Sequence, residues 1–112
     1  MKTYIGIRQK DGALSVTVNA KPLNPRLDLC NHSPTGFECG YSGSGPAQLA
    51  LALLAEHLNN DEQAVALHQP FKRKVVAGLS PREWRLTSKQ VERALQSIRR
   101  SAGSMECVHS HE

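Results

Sequence analysis

Residues 40–54 read GYSGSGPAQLALALL, a stretch in which three glycines and two serines run into a proline and then into almost nothing but alanine and leucine. Pro46 suits the first position of a helix, where its missing N–H costs nothing and its φ is already correct. Ser44 or Gly45 is then the expected cap. From Ala47 to Leu58 apolar residues occupy most of the helical circumference, so this segment is expected to be a central helix buried on all sides. Everything else in the chain has to be arranged around it.

Upstream, TYIGIRQ and ALSVTVN alternate as strands do and flank Asp11-Gly12, which predicts a hairpin with Ile5 and Ile7 on one face and Leu14, Val16 and Val18 on one face. Residues 20–36 carry Pro22, Pro25 and Pro34 among asparagines and read as an irregular connection pinned to the core by Leu23, Leu27 and Leu29. FECGY (37–41) reads as a third short strand, with Phe37, Cys39 and Tyr41 on one side. Downstream, a second helix is expected over about Glu62–Gly78, kinked or split by Pro70, with Phe71, Val75 and Leu79 facing inward. Ser80-Pro81-Arg82-Glu83 has a capping-box pattern and suggests a short helical turn, after which Trp84 and Leu86 alternate in an extended segment. Thr87-x-x-Gln90 is a second capping box, opening a helix to about Arg100 whose inward stripe is Val91, Ala94, Leu95 and Ile98. The expected architecture is a single α+β domain over 1–100: a small antiparallel sheet, hairpin plus third strand, packed on a buried central helix with two further helices. Residues 101–112 are expected to form a flexible tail.

With 112 residues the chain can build one modest core, and aromatics at 4% leave aliphatic side chains to fill it. The longest apolar run is far short of the ~20 residues of a membrane span, and no secretory signal is present in MKTYIGIRQK. Three cysteines, Cys30, Cys39 and Cys107, cannot close a disulfide set, which points to reduced thiols and a cytoplasmic protein. The net charge of +4 is unevenly spread. Residues 71–100 hold nine basic side chains against Glu83 and Glu92, whereas the first seventy residues are close to neutral. A positive field of that kind favours anionic partners.

Two candidate sites follow. Lys72, Lys74, Lys89, Arg93 and Arg100 form the candidate binding surface, suited to an acidic protein or nucleoprotein surface, with nucleic acid as the alternative. Spacing argues against a helix-turn-helix, and aromatics for stacking on single strands are scarce. Gly43, Ser44, Gly45, Ala47 and Gln48 form a possible anion or nucleotide site, because a helix N-terminus offers unpaired N–H groups and partial positive charge. The competing reading of that segment is a structural turn packed against the sheet. It lacks the Lys-Ser/Thr of a P-loop. Cys30-x-His32, Cys39 and Cys107-x-His109-x-His111 have no zinc-type pairing of cysteines, so no metal is assigned, and no cofactor or catalytic constellation is evident.

GFECGYSGSGPAQLALALLAEHL, FKRKVVAGL and W-x-L-T-x-x-Q-V-x-x-A-L together resemble a family of small bacterial proteins known only as a domain of unknown function. The family signature runs close to G-F-E-W-G-Y-G-G-S-G-P-A-Q-L-A-L-A. The likeness extends from about Gly36 to Ile98; Cys39 stands where that pattern has tryptophan, and Ser42 where it has glycine. The resemblance implies occurrence in bacteria, phages and mobile elements and implies no activity. In such a setting a small basic chain is expected to be a non-enzymatic accessory factor that occludes a host complex, such as one serving defence. The oligomeric state is left open by the sequence.

Overall fold

The apolar run after Pro46 folds as α1 (Ser44–Leu58), and every residue from Gly45 to Ala55 is buried. The computed structural model describes residues 2–34 and 36–109. The cap of α1 is Gly43 rather than Ser44 or Gly45: its backbone is extended and no side chain caps it. Pro46 thus sits in the first turn, where N–H groups have no intrahelical partner. The Gly43 carbonyl accepts from Ala47 N at 3.0 Å. Asn59 closes the helix in the left-handed conformation, and Asn60 caps the next one by accepting from Gln63 N at 3.1 Å.

An antiparallel four-stranded sheet lies against α1. The hairpin pairs β1 (Thr3–Arg8) with β2 (Leu14–Val18) around the turn at Asp11-Gly12, as the sequence predicts. β3 is only Lys21–Pro22 and lies outside β2. β4 (Glu83–Thr87) pairs with the other side of β1, so the spatial order is β3-β2-β1-β4. Tyr4, Leu14, Val16, Trp84 and Leu86 point into the core. The face that Ile5 and Ile7 share is the outer one, and Ile7 is 47% exposed.

The expected strand at FECGY is not formed. Phe37 makes a lone bridge to Leu14, and the chain then leaves the sheet. Gly40 adopts φ +85°, a conformation L-residues avoid, and its N–H donates to Val76 O at 3.1 Å. Cys39 is buried, but Tyr41 turns outward with 52% exposure. The turn of helix expected at Ser80–Glu83 is also absent. Pro81 O accepts from Arg8 Nε at 2.9 Å and Arg82 O from Arg8 N at 2.7 Å, so β1 draws this segment into the sheet as the start of β4.

α2 (Asp61–Lys74) runs through Pro70 without splitting and is followed by a 3-10 turn at Val76–Gly78. Pro70 lies near the helix end and deprives only the Ala66 carbonyl of its usual donor; Ala66 is exposed, so water satisfies it. Phe71 and Val76 are buried, and Val75 and Leu79 pack on the core from its edge. Leu23 and Leu29 pin the irregular connection as expected, whereas Leu27 is exposed. α3 (Ser88–His109) opens on the second capping box, Thr87 N donating to Gln90 Oε1 at 2.9 Å and Gln90 N to Thr87 Oγ1 at 3.3 Å. Val91, Leu95 and Ile98 are its buried stripe. The helix continues beyond Arg100, and residues 110–112 of the expected tail lie outside the described residues.

Trp84 lies flat across Gly6, so close that a β-carbon there would overlap the indole. Gly6→Ala is therefore expected to lower stability by about 2 kcal/mol through overpacking. Urea denaturation of the two proteins measures it, and an unchanged midpoint would refute that packing.

Candidate functional site

Burial of Val91, Leu95 and Ile98 leaves the basic side chains of α3 on its outer surface. Lys89 and Arg93, one turn apart, line a groove of about 600 Å³ with His57, Ser88, Glu92 and Gln96. Glu92 is occupied: Oε1 lies 2.9 Å from His57 Nε2 and Oε2 accepts from Arg99 at 3.4 Å. Lys89 and Arg93 form no ion pair among the described residues. A second groove of about 460 Å³ separates α2 from α3, where Ala66, Leu67, Pro70 and Ile98 make an apolar lining beside Arg73 and Lys74. Lys72, Arg73 and Lys74 occupy the last turn of α2, where the helix dipole favours cations.

The five expected surface residues are therefore not one patch. Lys89 and Arg93 share a groove, Arg100 is exposed two turns further along the same face of α3, and Lys74 lines the other groove. Lys72 is half-buried, and its charge acts on His68 one turn away. Arg73 lines the second groove, and His57 and Glu92 the first. No local pattern ties His57 to a carboxylate thirty-five positions away.

Gly43, Ser44, Gly45, Ala47 and Gln48 do converge at the start of α1, but their surroundings are those of a packed turn. A β-carbon on Gly45 would stand 2.7 Å from Glu38 Cβ, so this glycine accommodates the chain itself. Glu38 in turn bonds Arg8 at 2.9 Å. Gln48 is 0% exposed and its amide is fully used. Oε1 accepts from His32 N at 2.8 Å and Ser33 N at 3.0 Å, and Nε2 donates to Pro25 O at 2.6 Å and Cys30 O at 3.1 Å. One buried side chain thus satisfies four backbone groups of the irregular connection.

That connection is held to α2 as well. His68 is buried, its Nδ1–H donates to Val65 O at 2.6 Å, and its Nε2 lies 2.9 Å from Nε2 of His32. The shared bond requires His32 to be the donor and His68 the acceptor. Burial pushes the His68 pKa below its ordinary 6.5, with the nearby His32 and Lys72 acting in the same direction and the Val65 bond opposing. Arg26 ties the same loop to the head of α2 by bonding Asp28 and Asp61. Burial pushes the Cys39 thiol up, and Sγ lies 3.5 Å from Ser80 O. No group of three or more His, Cys, Asp or Glu side chains suited to a metal occurs among the described residues. The side chains of Cys107 and His109, and the whole of His111, lie outside that description.

The chain belongs to a family of unknown function (DUF6166), whose model matches residues 4–97. The match begins in β1 and ends in α3, so it takes in the hairpin that precedes the resemblance centred on α1. No curated protein and no solved structure matches the chain.

Gln48→Leu would keep the shape of the side chain and orphan four backbone groups in the interior. The expected loss is about 3 kcal/mol or more, read by denaturation, with faster proteolysis within residues 23–36. Wild-type behaviour in both assays would contradict the clamp. For His68 the unfolded chain takes up a proton near the ordinary value while the folded chain resists it. Stability should therefore fall as pH drops from about 7 to about 5. Melting temperatures of wild type and His68→Gln test this, the variant giving the shallower dependence.

Proposed function

We propose that the protein is a small basic, non-enzymatic binding protein that occupies an acidic surface of a protein or nucleoprotein partner. The observation that carries this reading is the set Lys89, Arg93, Arg73 and Lys74, which line the two grooves along α3 and enter no ion pair among the described residues. Glu92, the acid in the lining of the Lys89–Arg93 groove, is engaged by His57 and Arg99, so the field beside those two cations stays positive. The apolar lining between α2 and α3 favours a protein surface over a bare phosphate backbone. Cations at this spacing steer an acidic partner toward the face and speed association, and the bulk of the domain then excludes competitors. Bacteria, phages and mobile elements, the setting implied by the resemblance, suit an accessory factor that works by occlusion, for instance of a host defence complex.

The raised thiol counts against Cys39 as a nucleophile, which would need the opposite shift. A small-anion site at Gly43–Gln48 is disfavoured because Gln48 has no hydrogen-bonding capacity left and Glu38 packs on Gly45.

Reversal of Lys89, Arg93 and Arg100 to glutamate should abolish partner binding while leaving the thermal transition intact, because all three side chains are exposed. The measurement is retention of partners from host lysate by wild type and variant, at low and high salt, with and without nuclease. Retention that is lost in the variant and at high salt, and survives nuclease, is the expected result. Equal retention by both proteins would overturn the basic-surface reading, and loss on nuclease treatment would replace it with nucleic-acid binding.

A further inference from the structure

The two edges of the sheet are treated differently. Beyond β2 lies only Lys21–Pro22, a two-residue strand whose proline cannot donate, and Phe37 bridges the other end of β2. That edge is blunted. The β4 edge is not. Arg8 N donates to Arg82 O and Ser88 N to Lys2 O, which fixes the phase of the β1–β4 ladder. Trp84 and Leu86 therefore spend their backbone groups on β1, and Glu83, Arg85 and Thr87 turn theirs away from the sheet. Thr87 N is capped by Gln90. Among the described residues, the N–H groups of Glu83 and Arg85 reach no acceptor.

We propose that this edge pairs with the same edge of a second copy, antiparallel about a two-fold axis at Trp84, so that two four-stranded sheets join into one of eight. The occupant follows from charge. An antiparallel partner must oppose outward-turned residues to outward-turned residues. In the register centred on Trp84, Glu83 of each copy faces Arg85 of the other, giving two opposite-charge pairs by symmetry. The register one step along would set Arg85 against Arg85. Charged edge residues ordinarily repel further strands; here they are of alternating sign and match only themselves in one register. Both side chains are exposed on the outer face, next to Ile7 and Ile5, which are their cross-strand neighbours in β1. Their stems can cover that apolar strip. Trp84 does not obstruct the axis, because its ring leans back over Gly6.

Sedimentation of the purified protein from low micromolar to millimolar concentration tests the proposal, together with amide hydrogen exchange at Glu83 and Arg85. A concentration-dependent dimer is expected, with exchange at those two amides slowing as it forms. Arg85→Glu and Glu83→Arg each place like charges opposite one another and should weaken the dimer by roughly tenfold. The double variant E83R/R85E swaps the signs and should restore it. A monomer throughout overturns the proposal. So does a dimer indifferent to the single variants, or one that the double variant fails to rescue. Circular dichroism of each variant separates loss of pairing from loss of fold, and the rescue remains informative if one single variant is less stable.

Discussion

A helix with no polar face can exist in water only if something covers every side of it. α1 is such a helix, and the other elements are its covering: the inner face of the sheet, α2, α3 and the connection over residues 23–36. Strands and helices satisfy their own backbone groups as they pack, but an irregular segment does not. Laying one against a buried helix would strand its carbonyls and amides. Gln48 resolves that conflict from within the helix, since its amide bonds Pro25, Cys30, His32 and Ser33 at once. The pair His32–His68 and the ion pairs of Arg26 then fasten the same loop to α2. The loop is thereby a structural layer, which is why the permissive Gly-Ser-Gly segment beside it is a packed turn around Glu38 and Tyr41.

What the sequence makes legible is local and periodic. The all-round apolar run, the alternation on either side of Asp11-Gly12, the Thr87–Gln90 capping box and the Val91–Ile98 stripe each depend on neighbours within a few positions, and each is found where it was expected. The failures are places where a distant partner outbids local preference. Ser80–Glu83 has capping-box chemistry, but Arg8 offers two bonds to its carbonyls. Phe37–Tyr41 alternates like a strand, yet Val76 takes the Gly40 N–H. The alternation of β1 groups Ile5 with Ile7 without saying which way they face; Tyr4 and Gly6 are the inward residues, with Trp84 lying over Gly6. Nothing in the sequence reveals that the partners of the Gln48 amide are backbone groups, sixteen or more positions upstream for three of its four bonds.

The candidate surface was legible in charge and illegible in shape. Composition places the positive field in residues 71–100, and α2 and α3 do carry it outward. Sequence spacing could not show that α3 divides the cations between two grooves, nor that Arg99 is consumed by Glu92 while Lys89 and Arg93 are not.

That division matters physically because screening acts differently on the two grooves. Lys89 and Arg93 are exposed beside a groove whose one carboxylate is already paired, so their attraction is long-ranged and salt-sensitive. Arg73 and Lys74 stand beside an apolar lining, where contact removes water and strengthens whatever pair forms. A partner reaching both would be recruited by the first and held by the second. A bare polyanion could exploit only the first, and its binding would weaken with salt without the residual attachment that apolar burial provides.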